Sequence, residues 1–335
     1  MWVRRECRIV CVEPAANARV AMHHIPSPRN LKRMLAALLA LAPMLSAYAD
    51  QGLLVERVND RVYAIVGPYG NRSPENLGNN ASFGFIVTDQ GVILIDSGAS
   101  QQGAAAIQEA ITSITAQPVR IVINSGGQDH RWLGNAYFKD RGARIISSLA
   151  AVEDQKARTQ DQLFVLGNLV GDKGLDGTTP VYADETFEQQ LDLELGGVSI
   201  ELHHVGQAHT PGDLFVWMPA DSVLFAGDIV YVGRMLGIGP QSNSRSWIEV
   251  FSAIAAYSPA QIVPGHGPVS TLEQARADTL RYLVTLRQKV AAFMDAGGGI
   301  EKIGSLDQSA FSHLVSYDEL KGRNAQQVFQ EMEWE

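Results

Sequence analysis

The chain has 335 residues and only two cysteines, Cys7 and Cys11. Beyond residue 11 no disulfide can support the fold, and no thiolate can hold a metal. Any ion there must be bound by His, Asp, Glu or similar ligands. Basic charge is also scarce where it would matter. Residues 1–49 hold seven of the 27 Lys and Arg but two of the 36 acids, leaving 20 basic against 34 acidic residues, a net charge of −14. So acidic a body excludes general nucleic-acid binding, which depends on neutralising phosphates. The apolar run MLAALLALAPML, Met34 to Leu45, is too short to span a bilayer as a helix. Low-complexity tracts, short-period repeats and an obvious interdomain linker are absent as well. The remaining composition, 46% hydrophobic and 19% charged, is that of a soluble globular chain.

The apolar run has a different use. Lys32 and Arg33 precede it, and SAYAD follows, with Ala47 and Ala49 in an A-x-A arrangement. Basic flank, apolar run and small-residue site in this order predict an export signal cleaved after Ala49. Residues 1–21 fit a signal poorly, so Met22 and Met34 are alternative starts. The expected organisation is a targeting segment at 1–49, with the signal at about 34–49, and one domain at 50–335. The expected location is periplasmic or secreted, with no membrane span after cleavage.

Within that domain, LLVERVNDRVYAIVG (53–67) alternates like a strand pair turning at Asn59-Asp60. The Gly-, Asn- and Pro-rich stretch from Pro68 to Ala81 reads as a loop. FIVTDQGVILID predicts a hairpin about Asp89-Gln90-Gly91. A helix over 101–116, a strand VRIVINS, a short helix from Trp132, a strand ARIISSL and a helix over about 150–170 follow. The second half repeats this order: strands at 187–205, DLFVWMP and SVLFAGD, a helix at 245–257, a strand QIVPG, a helix at 270–295 and a last helix near the C-terminus. Two rounds of strands then helices suggest paired sheets with helices outside.

Polar residues of one chemical kind stand where strands end. Asp129-His130 follows VRIVINS, His209 lies in VGQAHTPGDLFVW, Asp228 ends SVLFAGD, and His266 lies in VPGHGP. Such loops can converge on one sheet edge, and imidazole with carboxylate suits zinc, and iron or manganese less exclusively. A competing reading has Asp129 capping the helix near Trp132. His203, His204 and His313 read as surface or hydrogen-bonded residues.

With these residues in view, the chain resembles the metallo-β-lactamase fold hydrolases over about 53–335. GFIVTDQGVILIDSG resembles the family's opening hairpin, GQAHTPGDLFVW its third metal motif, LFAGDIV its bridging-Asp motif and VPGHGP its last His motif. The resemblance implies an α/β chain folded as a four-layer αββα sandwich. It implies metal ligands His209, Asp228 and His266, with Asp96 supporting them from behind.

The departure is NSGGQDHRWLGNAYF. The family pattern is Thr-His-x-His-x-Asp-His. With one insertion, Asp129-His130 matches Asp-His and the first two His fall on Ser125 and Gly127. Without a gap those two fall on Gly126 and Gln128, the Asp on His130 and the last His on Arg131. The gapped alignment is preferred, because the other sets a permanent cation beside the ion. It leaves one site intact, Asp129, His130, Asp228 and His266, and a second reduced to His209, with Gln128 as a weak amide donor.

The expectation is therefore one Zn2+ per chain, Fe or Mn being possible, and a metal-bound hydroxide attacking an ester, amide, lactone or thioester of a small molecule. Asp129 or Asp228 would orient that nucleophile, and His209 would act as general acid or base. Arg131 and Arg234 are candidates for an anionic group of the substrate, and the loops at 68–81 and 235–244 for framing the pocket. A β-lactamase is one subcase. Periplasmic relatives associated with quinoproteins or sulfur metabolism are another, and an iron-dependent sulfur dioxygenase a third. The rival of another class is a non-catalytic binding protein on the same fold.

Overall fold

A computed structural model describes residues 52–335; the expected targeting segment lies outside the described residues. The first sheet has seven strands in sequence order: β1 (Leu54–Arg57), β2 (Val62–Val66), β3 (Ser82–Thr88), β4 (Gly91–Ile95), β5 (Val119–Asn124), β6 (Arg144–Ser148) and β7 (Glu185–Phe187). Strands β1 to β4 pair antiparallel, and β4 to β7 pair parallel. The second sheet has the order β12-β11-β10-β9-β8, formed by β8 (Gln190–Leu195), β9 (Val198–His203), β10 (Phe215–Met218), β11 (Val223–Phe225) and β12 (Gln261–Val263).

Period-two alternation builds the layers. In β4 every residue is buried, yet its two faces go to different cores. Ile93 and Ile95 join Ile121, Ile123, Leu202, Val216 and Phe225 between the sheets. Val92 and Leu94 join Ala104, Ile107 and Ile111 of the helix Gln101–Thr112 on the outside. The second sheet divides likewise, with Val216 and Met218 inward and Phe215 and Trp217 under the C-terminal helices. Helix, sheet, sheet and helix make the four-layer αββα sandwich.

Four elements differ from the sequence expectation. The short helix expected from Trp132 is two, Asp129–Trp132 and Asn135–Lys139. The helix expected to 116 ends at Thr112. The helix expected over 150–170 runs Leu149–Leu175, with Gly171 in a non-helical conformation (φ 73°, ψ 168°) where only glycine is unstrained. The helix expected over 270–295 contains a π-turn at Arg276–Leu280. The wide turn aims Asp278 at the Gly233 N–H (2.8 Å) and Thr279 at the backbone of Tyr231 (2.6 and 2.9 Å). It thereby clamps the segment after β11. Among the described residues no helix is long and apolar enough to cross a membrane.

Candidate metal site

β4, β5, β11 and β12 all deliver their C-terminal ends to one edge of the sandwich. Asp96 follows β4, His130 follows β5, Asp228 follows β11 and His266 follows β12. His209 arrives on the connection between β9 and β10. The hydrophobic strands thus fix the backbone from which each polar side chain departs.

Asp228 is the centre. His130 Nε2 stands 3.2 Å from its Oδ2, His266 Nε2 3.3 Å from its Oδ1, and His209 Nδ1 3.7 Å from Oδ2. The ligand atoms of His130, Asp228 and His266 lie within 4.8 Å of one another. His266 donates Nδ1–H to the Asn80 carbonyl at 2.9 Å. That bond leaves a lone pair on Nε2 facing a carboxylate oxygen, an arrangement repulsive unless a cation lies between. His209 Nδ1 and His130 Nδ1 are buried without a hydrogen-bond partner. The donor set, imidazole nitrogens with one ionised carboxylate, fits a zinc-type ion.

Arg131 holds this centre from within the protein. It is fully buried, and all five of its N–H donors are taken. Nε and Nη2 fork onto Asp228 (3.1 and 2.7 Å), Nη1 reaches Asp96 (2.9 Å), and the carbonyls of Ser82 and Gly265 accept at 2.9 Å. Asp96 also accepts from the Ser125 N–H and hydroxyl, at 2.7 and 2.8 Å. Asp96 adopts a left-handed backbone (φ 67°), an uncommon conformation that Asp tolerates better than most residues. Burial disfavours the Asp228 anion, but Arg131 and then His130 outweigh it and hold its carboxyl well below the usual range. Burial pushes His209 down to about 4, against the pull of Asp228, and lowers His266 as well. Both imidazoles are neutral at pH 7, as metal ligation requires.

Two expectations are corrected by these placements. The preferred alignment put both Asp129 and His130 on the ion, and the structure brings only His130 to Asp228. Asp129 turns to Arg72, with which it forms an ion pair, and accepts the His130 N–H at 2.8 Å. Arg131 was a candidate for substrate, but it has no donor left to offer. The objection to a cation here also lapses, since two carboxylates balance its single charge. Gln128, His209, Arg234 and His266 do face a cleft of about 230 Å3, together with His130 and Tyr231. The two loops expected to frame the pocket contribute Arg72 and Gln241 among others.

Sequence reasoning missed Arg72 and Tyr231. Tyr231 donates to Asp228 Oδ1 at 3.1 Å and stacks on His266, ring centroids 4.6 Å apart. Its position three residues after Asp228 was the available signal. Trp247 packs behind His209, edge-on at 5.8 Å, with its indole N–H on the Ile229 carbonyl.

A family model described as the metallo-beta-lactamase superfamily matches residues 78–266, more than half of the chain. The chain belongs to this superfamily. Among its curated relatives, the metallo-beta-lactamase type 2 of Elizabethkingia meningoseptica is 24% identical over 216 residues, 63% of this chain and 78% of that protein. The 2,4-dinitroanisole O-demethylase subunit alpha of Nocardioides sp. (strain JS1661) is 24% identical over 184 residues, 54% of this chain and 51% of that one. Among solved structures, a metallo-beta-lactamase from Pontibacter korlensis superposes with a TM-score of 0.56 at 19% identity, covering 69% of this chain and 99% of that one. FIM-1 from Pseudomonas aeruginosa, in a mono-zinc form, gives 0.55 at 16% identity, covering 70% and 96%. These likenesses carry the fold of the metallo-beta-lactamase superfamily. Its membership also supports metal-dependent hydrolysis as the general chemistry.

Proposed function

We propose that the protein is an exported hydrolase that loads one zinc-type ion through His130, Asp228 and His266. Its substrate would be an ester, amide, lactone or thioester of a small molecule. The observation that carries this reading is the convergence of three ligand atoms within 4.8 Å, one of them an imidazole whose tautomer is fixed by Asn80.

A second ion has little room. A Cβ on Gly126 would overlap Asp213 Oδ1, and one on Gly127 would overlap Asp154 Oδ2. Neither carboxylate is loose: Thr210 N–H holds Asp213 at 2.7 Å and Arg158 Nε holds Asp154 at 2.7 Å. The space over Gly126 and Gly127 is therefore filled by the protein's own acids, and the remaining His209 alone is too few for a dedicated site.

When bound, the ion supplies a Lewis acid that lowers the pKa of water and polarises a carbonyl. The chain's residues do the rest. Arg131 fixes the plane of Asp228 through its fork, so that both oxygens present a set geometry to the imidazoles. Tyr231 gives its one hydroxyl proton to Asp228 Oδ1 and so helps to hold that carboxylate; burial and the neighbouring Asp228 raise its pKa well above 10, so it stays protonated. His209, neutral at pH 7, can accept a proton there. The relatives' names span a β-lactamase and an O-demethylase, so the shared fold does not choose the substrate.

The test is metal analysis of purified protein after zinc resupply, with turnover measured on a panel of esters, lactones and thioesters. About one ion per chain is expected, lost in His130→Ala and His266→Ala and kept in Asp129→Asn, with turnover following the ion. Wild-type protein that takes up no metal would leave the non-catalytic binding protein ahead.

A further inference from the structure

We propose that the cleft above the metal site selects an anionic substrate, and that Arg234 and Arg323 hold its carboxylate. The inference rests on the hydrolase reading for what happens next to that carboxylate, but not for the recognition itself.

The cleft wall carries three arginines, Arg72, Arg234 and Arg323, against one acid, Glu319. Asp129 and Asp228 lie behind the wall, each already paired with an arginine. The imidazoles on the wall that burial pushes down, His209 and His266, add no charge at pH 7. An acidic protein body therefore opens into a pocket of the opposite sign. Such a reversal costs self-energy in the empty cleft, and an anion repays it.

The three arginines are not equivalent. Arg72 is committed to Asp129. Arg234 gives only Nε, to the Tyr69 carbonyl at 2.8 Å, and among the described residues it forms no ion pair. Burial pushes its pKa down and the nearby Arg72 adds to that, against the opposing pull of Tyr231, Asp228 and Glu319. A guanidinium desolvated and crowded by a second cation is a strong receiver for a planar carboxylate. Arg323 comes from the helix Tyr317–Met332, which also sets Glu319, one turn earlier, on the same wall. This helix lies beyond residues 78–266, the segment the family model covers. Arg323's share of the selectivity thus comes from an element that the superfamily match does not describe.

Calorimetry on the full, zinc-loaded protein tests it, with 4-hydroxybenzoate and the neutral 4-hydroxybenzyl alcohol as probes. The carboxylate should bind about tenfold more tightly, and this preference should shrink as salt screens the charges. Arg234→Gln and Arg323→Gln should each reduce the preference about fivefold. Arg323 is exposed, so its variant carries the test should Arg234→Gln fail to fold. Equal binding of the two probes overturns the inference, as does a preference unchanged in Arg323→Gln. Turnover of 4-acetoxybenzoate and 4-acetoxytoluene separates the two readings. A binding preference with neither ester cleaved supports the recognition and counts against hydrolysis. Both esters cleaved equally, with no binding preference, overturns the recognition and keeps the hydrolase.

Discussion

The loop after β5 and the loops after β11 and β12 reach the same edge of the sandwich with opposite results. After β5 the chain offers Gly126 and Gly127, and the space above them is occupied by Asp213 and Asp154. After β11 and β12 it offers Asp228 and His266, facing each other at 3.3 Å without a proton between them. One side of the site is closed by internal carboxylates, and the other is held open at an electrostatic cost. Polar groups kept in that state within a buried cleft are explained by a ligand. His130 and Arg131, on the short helix Asp129–Trp132 that follows the two glycines, show how both are kept. His130 joins the open side, and Arg131 ties Asp96 to Asp228 beneath both.

Removing that tie is the largest expected perturbation. Arg131→Met leaves Asp96 and Asp228 buried with no countercharge, which costs about 3–5 kcal/mol. Urea unfolding measures it, and a loss below about 1 kcal/mol would show that the arginine is not what joins the two regions. The open side can be probed by acid. In metal-free protein the unfolded chain takes up a proton on His209 near 6.5, and the folded site only near 4. Stability is thus full above 6.5 and falls as the pH drops toward 4, by about 3 kcal/mol for this one group. His209→Gln should flatten that slope, and an unchanged slope would place the burden elsewhere. The closed side should respond least. Gly127→Ala forces the Asp154 carboxylate aside and costs about 1–3 kcal/mol. Gly127→His should still bind no second ion, and two ions per chain in that variant would break the contrast between the loops.

Much of this was legible in the sequence because it rests on local pattern. The apolar runs in GVILI and VRIVIN specified buried strands, and Asp228 and His266 stand directly after such strands, so their convergence followed from topology. The middle of NSGGQDHRWLGN was not legible. Charge conservation alone favoured Asp129 as ligand and disfavoured Arg131 beside the ion. What decides the matter is long-range: Arg72, 57 residues earlier, captures Asp129, and Asp96, 35 residues earlier, shares Arg131 with Asp228. Neither pairing leaves a periodic signal. The π-turn at Arg276–Leu280 was hidden for the same reason, since its cause is the backbone of Tyr231 and Gly233, which Thr279 and Asp278 bind.

Trp247 gives the site an optical property of its own. Its indole is wholly buried and stands edge-on to His209, with Tyr231 6.2 Å away. A fluorophore in this position reports on the charge of its neighbours. Ion loading at Asp228 or anion entry over Arg234 should alter its emission, while the exposed Trp334 at the chain end stays indifferent. The molecule thus carries an intrinsic dye for occupancy, readable by titration before any substrate has been found.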